Sequence, residues 1–388
     1  MNSFSLLDWP TAFTYHMVPM QALSIPTRSL TTPYPGGEYE ILVGTGLLGR
    51  LRELAPVPGA LVVITDDNVG PLHAERFGEV DLVVTVPAGE AHKTLDTIRT
   101  IYDQLLDHSF DRKTTLVSLG GGVVGDMVGF AAATFLRGVN FIQCPTSLLA
   151  MVDASVGGKT GVDMPQGKNL IGAFKQPVAV IIDLLTLPTL PVREQRAGMA
   201  EVVKHGLLND PALYESCRSL ATNSWAEPLT EARLLAWQEL LLTAIEVKRD
   251  VVVADPFEQG QRALLNLGHT FAHAIEKVSE FAVNHGEAVA MGLVAAADLS
   301  GRLGHCDPAL AGDIETVLDH LALPVAIPAG LDPEAIYEAM WSDKKKARGK
   351  LNFVLLKQIG HAFLDGNVPA EQVLATLLAR RATMPEAT

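Results

Sequence analysis

Residues 115–126 read Thr-Leu-Val-Ser-Leu-Gly-Gly-Gly-Val-Val-Gly-Asp, and the fold turns on them. A short strand-forming run passes directly into the glycines Gly120, Gly121 and Gly122, and a helix-length segment, 123–136, follows. Glycines at such a junction let backbone N–H groups approach a pyrophosphate at the positive end of the helix. The spacing is not GxGxxG, and a tight strand-to-helix turn also needs glycine for steric reasons alone. On this stretch both readings stand.

Working outward, similar β-branched runs recur at 39–43, 61–65, 82–86, 141–144 and 178–183, with another helix-length segment at 94–107. Strands alternating with helices predict a mostly parallel sheet covered by helices. The unbroken apolar run Leu61-Val62-Val63-Ile64 fits a strand buried on both faces. Beyond Pro191 the pattern becomes helical, at 193–208, 230–253, 269–279, 286–302 and 309–321, with one extended run at 351–356 that suggests a small hairpin. The expected fold class is thus an α/β N-terminal domain over 36–190 followed by a mostly α-helical domain over 191–388. Ligands favour such an interface. Residues 1–35 mix Ser, Thr and Pro without periodicity and read as a poorly ordered extension.

Composition sets outer limits. Of 388 residues, 48% are hydrophobic and 19% charged, which excludes general disorder. The net charge of −14 argues against nucleic acid or an anionic membrane as partner, since both demand a basic face. Three cysteines are too few for a disulfide framework or a thiolate metal site. No apolar stretch approaches the ~20 residues of a membrane helix. The N-terminus carries Asp8 and three early prolines and does not read as a signal peptide, so a soluble, cytoplasmic protein is expected.

Three further stretches carry candidate chemistry. Residues 145–177 hold Lys159, Lys168 and Lys175 among five glycines with little periodicity, and read as a long functional loop suited to an anionic ligand. Gly157-Gly158-Lys159-Thr160 lacks the first glycine of a Walker A motif, because position 153 is Asp. His269, His273 and His285 fall within seventeen positions, and Glu201 and Lys204 share a helix face upstream. Two imidazoles and a carboxylate make a catalytic zinc set with one open position. His269 and His273, at i and i+4, could equally chelate one ion together. The third stretch is the basic run 344–348, normally a solvated face but a local attractor for anions in so acidic a chain.

Taken together, GGGVVGDMVGFAAATFLRG (120–138), PTSLLAMVDASVGGKTGVDMPQGKNLIGAF (145–174), AEVVKHG (200–206), LNLGHTFAHAIE (265–276), NHGEAVAMG (284–292) and SDKKKARGKLNFVLL (342–356) closely resemble the dehydroquinate synthases, the shikimate-pathway members of the sugar phosphate cyclases. The match runs in order from about 36 to 380. It implies an NAD-binding α/β domain, a helical metal-binding domain and a cleft between them. The implied reaction converts 3-deoxy-D-arabino-heptulosonate 7-phosphate to 3-dehydroquinate and phosphate. Transient oxidation by NAD acidifies a C–H bond, phosphate is eliminated, the hydride returns, the ring opens and an intramolecular aldol step closes the carbocycle.

The same resemblance assigns Glu201, His269 and His285 to Zn2+ (Co2+ as a substitute) and gives His273 to the substrate phosphate. Asp153, Lys159, Lys168, Asn169, Lys204, Lys248, Arg262, Asn266 and a lysine of the 344–346 run (Lys344 or Lys345) fall on substrate-contacting positions. Arg137 falls where the family reaches a neighbouring subunit's phosphate site, implying a homodimer. NAD is implied at Asp66 or Asp67, Glu90, Lys93, Gly121, Gly122, Asp126, Thr146, Ser147 and Thr189, with Lys159 and Lys168 adjoining. Asp163-Met164 and Ser147 depart from the commonest family residues, at positions that carry no implied metal or phosphate contact. Sister cyclases that make valiolone or scyllo-inosose precursors share the metal set, as a fold do metal-dependent alcohol dehydrogenases. The Gly157-Gly158-Lys159 sequence and His273 favour the dehydroquinate synthases.

Overall fold

The computed structural model describes residues 23–220, 229–342 and 350–383. Its strands are β1 (Arg28–Tyr34), β2 (Gly37–Gly44), β3 (Leu61–Asp66), β4 (Leu82–Val86), β5 (Thr115–Gly120), β6 (Asn140–Pro145), β7 (Lys159–Met164), β8 (Gly167–Phe174), β9 (Ala179–Asp183), β10 (Phe353–Gln358) and β11 (His361–Asp365). Seven of them form one sheet in the order β1-β2-β9-β6-β5-β3-β4, parallel except for the β1–β2 pair. β3, β5 and β9 are buried at every position, as unbroken β-branched runs require when helices cover both faces of a sheet.

Two one-turn helices, α1 (Leu51–Leu54) and α2 (Gly70–His73), are followed by α3 (Leu95–Asp107), capped by the Thr94 side chain, and α4 (Gly122–Thr134). The helical part contains α5 (Val192–Asn209), α6 (Pro211–Ser219), α7 (Glu231–Ala254), α8 (His269–Val278), α9 (His285–Arg302), α10 (Ala309–His320), α11 (Pro333–Ser342) and α12 (Ala370–Ala379). α9 is its spine, with thirteen buried residues from Gly286 to Ser300. A helix apolar on all sides is stable only when other helices surround it.

Two expectations are corrected. The stretch read as an extension contains β1, which pairs with β2 from Arg28 to Tyr34, and Ile25 is in the core. Threonines and Pro33 mask its alternation, and an antiparallel edge strand tolerates proline. The segment read as a long loop is mostly the β7–β8 hairpin, preceded by a π-helical turn, Ala150–Ala154. Its glycines are packing devices: a Cβ on Gly161 would lie 2.6 Å from the Ile171 carbonyl oxygen across the hairpin. Among the described residues, no helix is long and apolar enough to cross a membrane.

The chain leaves β3 toward β4 on one side and returns to β5 on the other. Their C-terminal ends, at Asp66 and Gly120, therefore flank a topological switch point, where open α/β sheets bind ligands.

Candidate active site

Two helix starts and one helix face build the metal candidate. α5 presents Glu201, Lys204 and His205, spaced i, i+3 and i+4, toward α8 and α9. His269 opens α8 directly after Gly268, whose φ of +78° suits glycine. His285 opens α9, where the Asn284 side chain accepts from Gly286 N–H (3.0 Å) and the Glu287 carboxylate accepts from Asn284 N–H (3.1 Å). Arg193 forks onto Glu287 with two 2.7 Å bonds and pins α9 to α5. Gly286 permits the close crossing: a Cβ there would sit 2.5 Å from Ala197 Cα, one turn before Glu201.

The resulting distances discriminate between a hydrogen-bonded cluster and a metal site. Glu201 Oε1 lies 3.5 Å from His269 Nε2 and 3.6 Å from His285 Nε2. Those are long for hydrogen bonds. Two ligands of one tetrahedral ion, with bonds of about 2.0–2.1 Å, sit roughly 3.4 Å apart. Each histidine commits its other nitrogen elsewhere, Nδ1 of His269 to the Leu267 carbonyl (3.1 Å) and Nδ1 of His285 to Glu276 Oε2 (3.1 Å). That is the outer-shell pattern of metal-bound imidazoles. Glu201 is fully buried and neither of its oxygens makes a hydrogen bond of ordinary geometry. The donor set, its spacing and the Glu201 Oε1 left without a close partner fit a divalent cation.

Two rival clusters fit less well. His273, Glu276 and His285 could meet only if His285 gave up Glu276 as its orienting partner. Asp153, Glu201 and His205 already surround cationic lysines: Lys248 Nζ is 2.5 Å from Asp153 Oδ1, and Lys204 lies between Asp153 (3.9 Å) and Glu201, which it contacts directly. His273 stays beside the triangle, and among the described residues no three-ligand group contains both His269 and His273.

Charge in this floor is tightly held. Burial works against the Asp153 and Glu201 carboxylates, but Lys204, with Lys248 at the first and His269 at the second, holds both well below the usual range. Burial lowers Lys248, whereas for Lys204 the carboxylates overcome burial and raise it. Burial likewise opposes charge on His285, yet the adjacent Glu201 and Glu276 carboxylates hold its pKa up at about 10. A metal ion there displaces a proton.

The other expected substrate residues converge on the same side. Arg262 is buried and donates to the carbonyls of Gly157 (3.1 Å) and Pro256 (2.8 Å). Lys159, on β7, pairs with Glu258. Lys168, on β8, reaches Glu276 (3.4 Å) and Glu90 (3.6 Å). Asn169 receives Lys93 Nζ at 2.5 Å, and Asn266 ends the turn leading into α8. Lys344 and Lys345 lie outside the described residues.

The expected nucleotide residues gather at the C-terminal edge of the sheet. Asp66 ends β3 and Asp67 follows it, Gly121 and Gly122 lead from β5 into α4, Thr146 and Ser147 follow β6, and Thr189 follows β9. A Cβ on Gly122 would meet that of Ala154 at 3.2 Å, and one on Gly121 would meet Ser147 Oγ at 3.4 Å, so the turn keeps its backbone accessible. Asp126 pairs with buried Lys93 (2.6 Å) behind it. Asp66 spends Oδ1 on the N–H groups of Asn68 and Val69, an ordinary turn cap, and Asp67 caps Ala88 N–H. Thr189 is held by buried His73 (2.8 Å). Arg137 does not join this edge: it precedes β6, one strand length (about 20 Å) from the C-terminal ends, exposed and at φ +69°.

Glu258, Glu276 and His205 were not singled out from the sequence. Glu276 carries a usable signal, since it stands two turns beyond His269 on the same helix.

Known proteins resemble the chain along most of its length. The family profile described as 3-dehydroquinate synthase N-terminal matches residues 83–197, and the C-terminal one matches 198–346. A 3-dehydroquinate synthase of Rippkaea orientalis is 48% identical over 355 residues, covering 89% of this chain and 96% of that protein. Among solved structures, a 2-epi-5-epi-valiolone synthase from Streptomyces hygroscopicus with NAD+ and Zn2+ bound aligns at TM-score 0.80 and 26% identity, covering 88% of this chain and 96% of its own. A 2-deoxy-scyllo-inosose synthase complexed with carbaglucose-6-phosphate, NAD+ and Co2+ gives TM-score 0.80 at 25% identity, with coverage of 91% and 100%. The fold over most of the chain is that of these sugar phosphate cyclases, both solved with NAD+ and a divalent metal bound. Within that class, the profile matches and the near-half identity decide the branch. The chain belongs to the 3-dehydroquinate synthase family.

Proposed function

We propose that this chain converts 3-deoxy-D-arabino-heptulosonate 7-phosphate to 3-dehydroquinate and phosphate, with NAD at the β3/β5 switch point and Zn2+, or Co2+, on Glu201, His269 and His285. The observation that carries the reading is the placement of Glu201 Oε1 3.5 and 3.6 Å from two oriented imidazole nitrogens, above a floor of buried lysines. When bound, NAD supplies a hydride acceptor and the cation a Lewis acid that lowers the pKa of a substrate hydroxyl.

The chain's own residues do the rest. Once Glu201 is committed to a divalent cation, Asp153 alone balances Lys204 and Lys248, and the floor carries surplus positive charge. That surplus attracts the carboxylate and phosphate of the substrate, in a pocket where burial strengthens each interaction. Asp153 holds the Lys248 ammonium in place through both its side chain and its carbonyl oxygen (2.6 Å). Lys159, Lys168, Asn169, Arg262, Asn266 and His273 line the approach, with Lys344 or Lys345 as a further contact. Glu90, Lys93, Asp126, Thr146, Ser147 and Thr189 surround the nucleotide. Arg137, remote from its own site, serves the neighbouring site of a homodimer.

The test is to incubate purified protein with the heptulosonate phosphate, NAD and zinc, and to measure phosphate and dehydroquinate together. Equal yields are expected. Phosphate without dehydroquinate would move the chain to a sister cyclase.

A further inference from the structure

We propose that Glu276 is a positioning residue shared by the two halves of the molecule: one carboxylate orients the metal-facing His285 and anchors Lys168 of the β7–β8 hairpin, so that metal loading and hairpin seating favour each other. The proposal rests on the metal reading above.

Glu276 is 4% exposed on α8. Its Oε2 takes His285 Nδ1 at 3.1 Å, and its Oε1 faces Lys168 Nζ at 3.4 Å. The Lys168 ammonium is held from two further directions, by Glu90 Oε1 at 3.6 Å and by the Phe281 ring, 4.5 Å below it. A carboxylate behind a ligating imidazole fixes its tautomer and orientation and raises its basicity, and its loss typically weakens metal binding 10–100-fold. Here that carboxylate has a second partner on a hairpin that packs against α4 of the sheet half. Lys168 is therefore the only element of this relay that the metal does not need, and it is the one that reports hairpin position.

Direct ligation by Glu276 is the competing role. Both its oxygens are engaged, one of them by a cation, and the free nitrogen of His285 points at Glu201 instead. Because coupling between two binding events is reciprocal, the factor by which seating of Lys168 tightens metal binding is the factor by which metal favours that seating.

The experiment uses the full chain, stripped of metal, with zinc affinity read by competition against a chromophoric chelator. E276Q keeps the size and loses the charge, and is expected to bind zinc 10–100-fold more weakly. K168M, at a half-exposed position that tolerates the change, is expected to weaken zinc a few-fold in the native background and not at all in E276Q. Hydrogen exchange in the β7–β8 hairpin should slow on zinc addition in the native protein and stay unchanged in E276Q. Native zinc affinity in E276Q, loss of stoichiometric zinc in that variant, or an equal K168M effect in both backgrounds would each overturn the proposal while leaving the metal reading intact. Failure of the native chain to bind zinc at all would overturn both.

Discussion

Replacing Gly286 by alanine probes how the site is held. The new methyl would stand 2.1 Å from the Ala197 carbonyl oxygen and 2.5 Å from Ala197 Cα, on backbone that cannot rotate away. Ordinary contact for a Cβ begins near 3.4 Å, so α5 and α9 must separate by close to 1.3 Å. Overpacking of this kind destabilises by ~1–3 kcal/mol. The displacement separates the two helices that carry Glu201 and His285, and metal sites tolerate only about 0.5 Å of ligand error. We expect a thermal midpoint lowered by several degrees and zinc affinity reduced at least tenfold, with NAD binding, followed by fluorescence, unchanged. The control is Gly312→Ala in α10, where a Cβ meets nothing within 4 Å. That change should stabilise by ~0.5–1 kcal/mol, because alanine is the better helix former. A G286A protein with native midpoint and native zinc affinity would refute the claim that this crossing sets the triangle.

Lys159→Ala should raise KM or lower kcat for the heptulosonate phosphate and leave NAD affinity near native, as titration in the absence of substrate would show. Arg137→Ala should impair turnover, and mixing it with an inactive Lys248→Met chain should recover part of the activity if the site is shared; unchanged inactivity would argue for a self-contained protomer. Burial, aided by Arg76, lowers the pKa of His73 to about 4. A neutral ring in the fold and an ordinary one in the unfolded chain mean that stability is complete above about pH 6.5 and declines as pH falls toward 4. His73→Gln should flatten that slope, by an amount on the order of 1–2 kcal/mol at pH 5, measured as urea midpoints at pH 7.5 and 5.0.

Much of the fold is legible because burial and local pattern agree. β3 and β5 are buried at every position and rich in β-branched and aliphatic residues, so their strands could be read almost to the residue, and α3 announces itself through Thr94 and a clear amphipathic period. The β7–β8 hairpin could not be read: five of the eight residues of β8 after Gly167 are exposed in succession, and glycines interrupt any alternation. β1 was hidden for a related reason, since an edge strand need bury only one residue in seven well. At the site, motif resemblance named Glu201, His269 and His285, which the fold brings together. It did not name Glu276, whose role depends on a contact nine residues along the chain with His285 and another across 108 residues with Lys168. Partnerships of that kind exist only once helices have packed.

With Glu201 committed to a cation, the surplus positive charge beside Asp153 acts on the end of the reaction as well as its beginning. An electrostatic well does not distinguish an esterified anion from a free one. Inorganic phosphate, once liberated, remains attracted to the place it was made, and at low ionic strength it competes with incoming ester. The catalyst thus carries a built-in brake whose strength fades as salt is added.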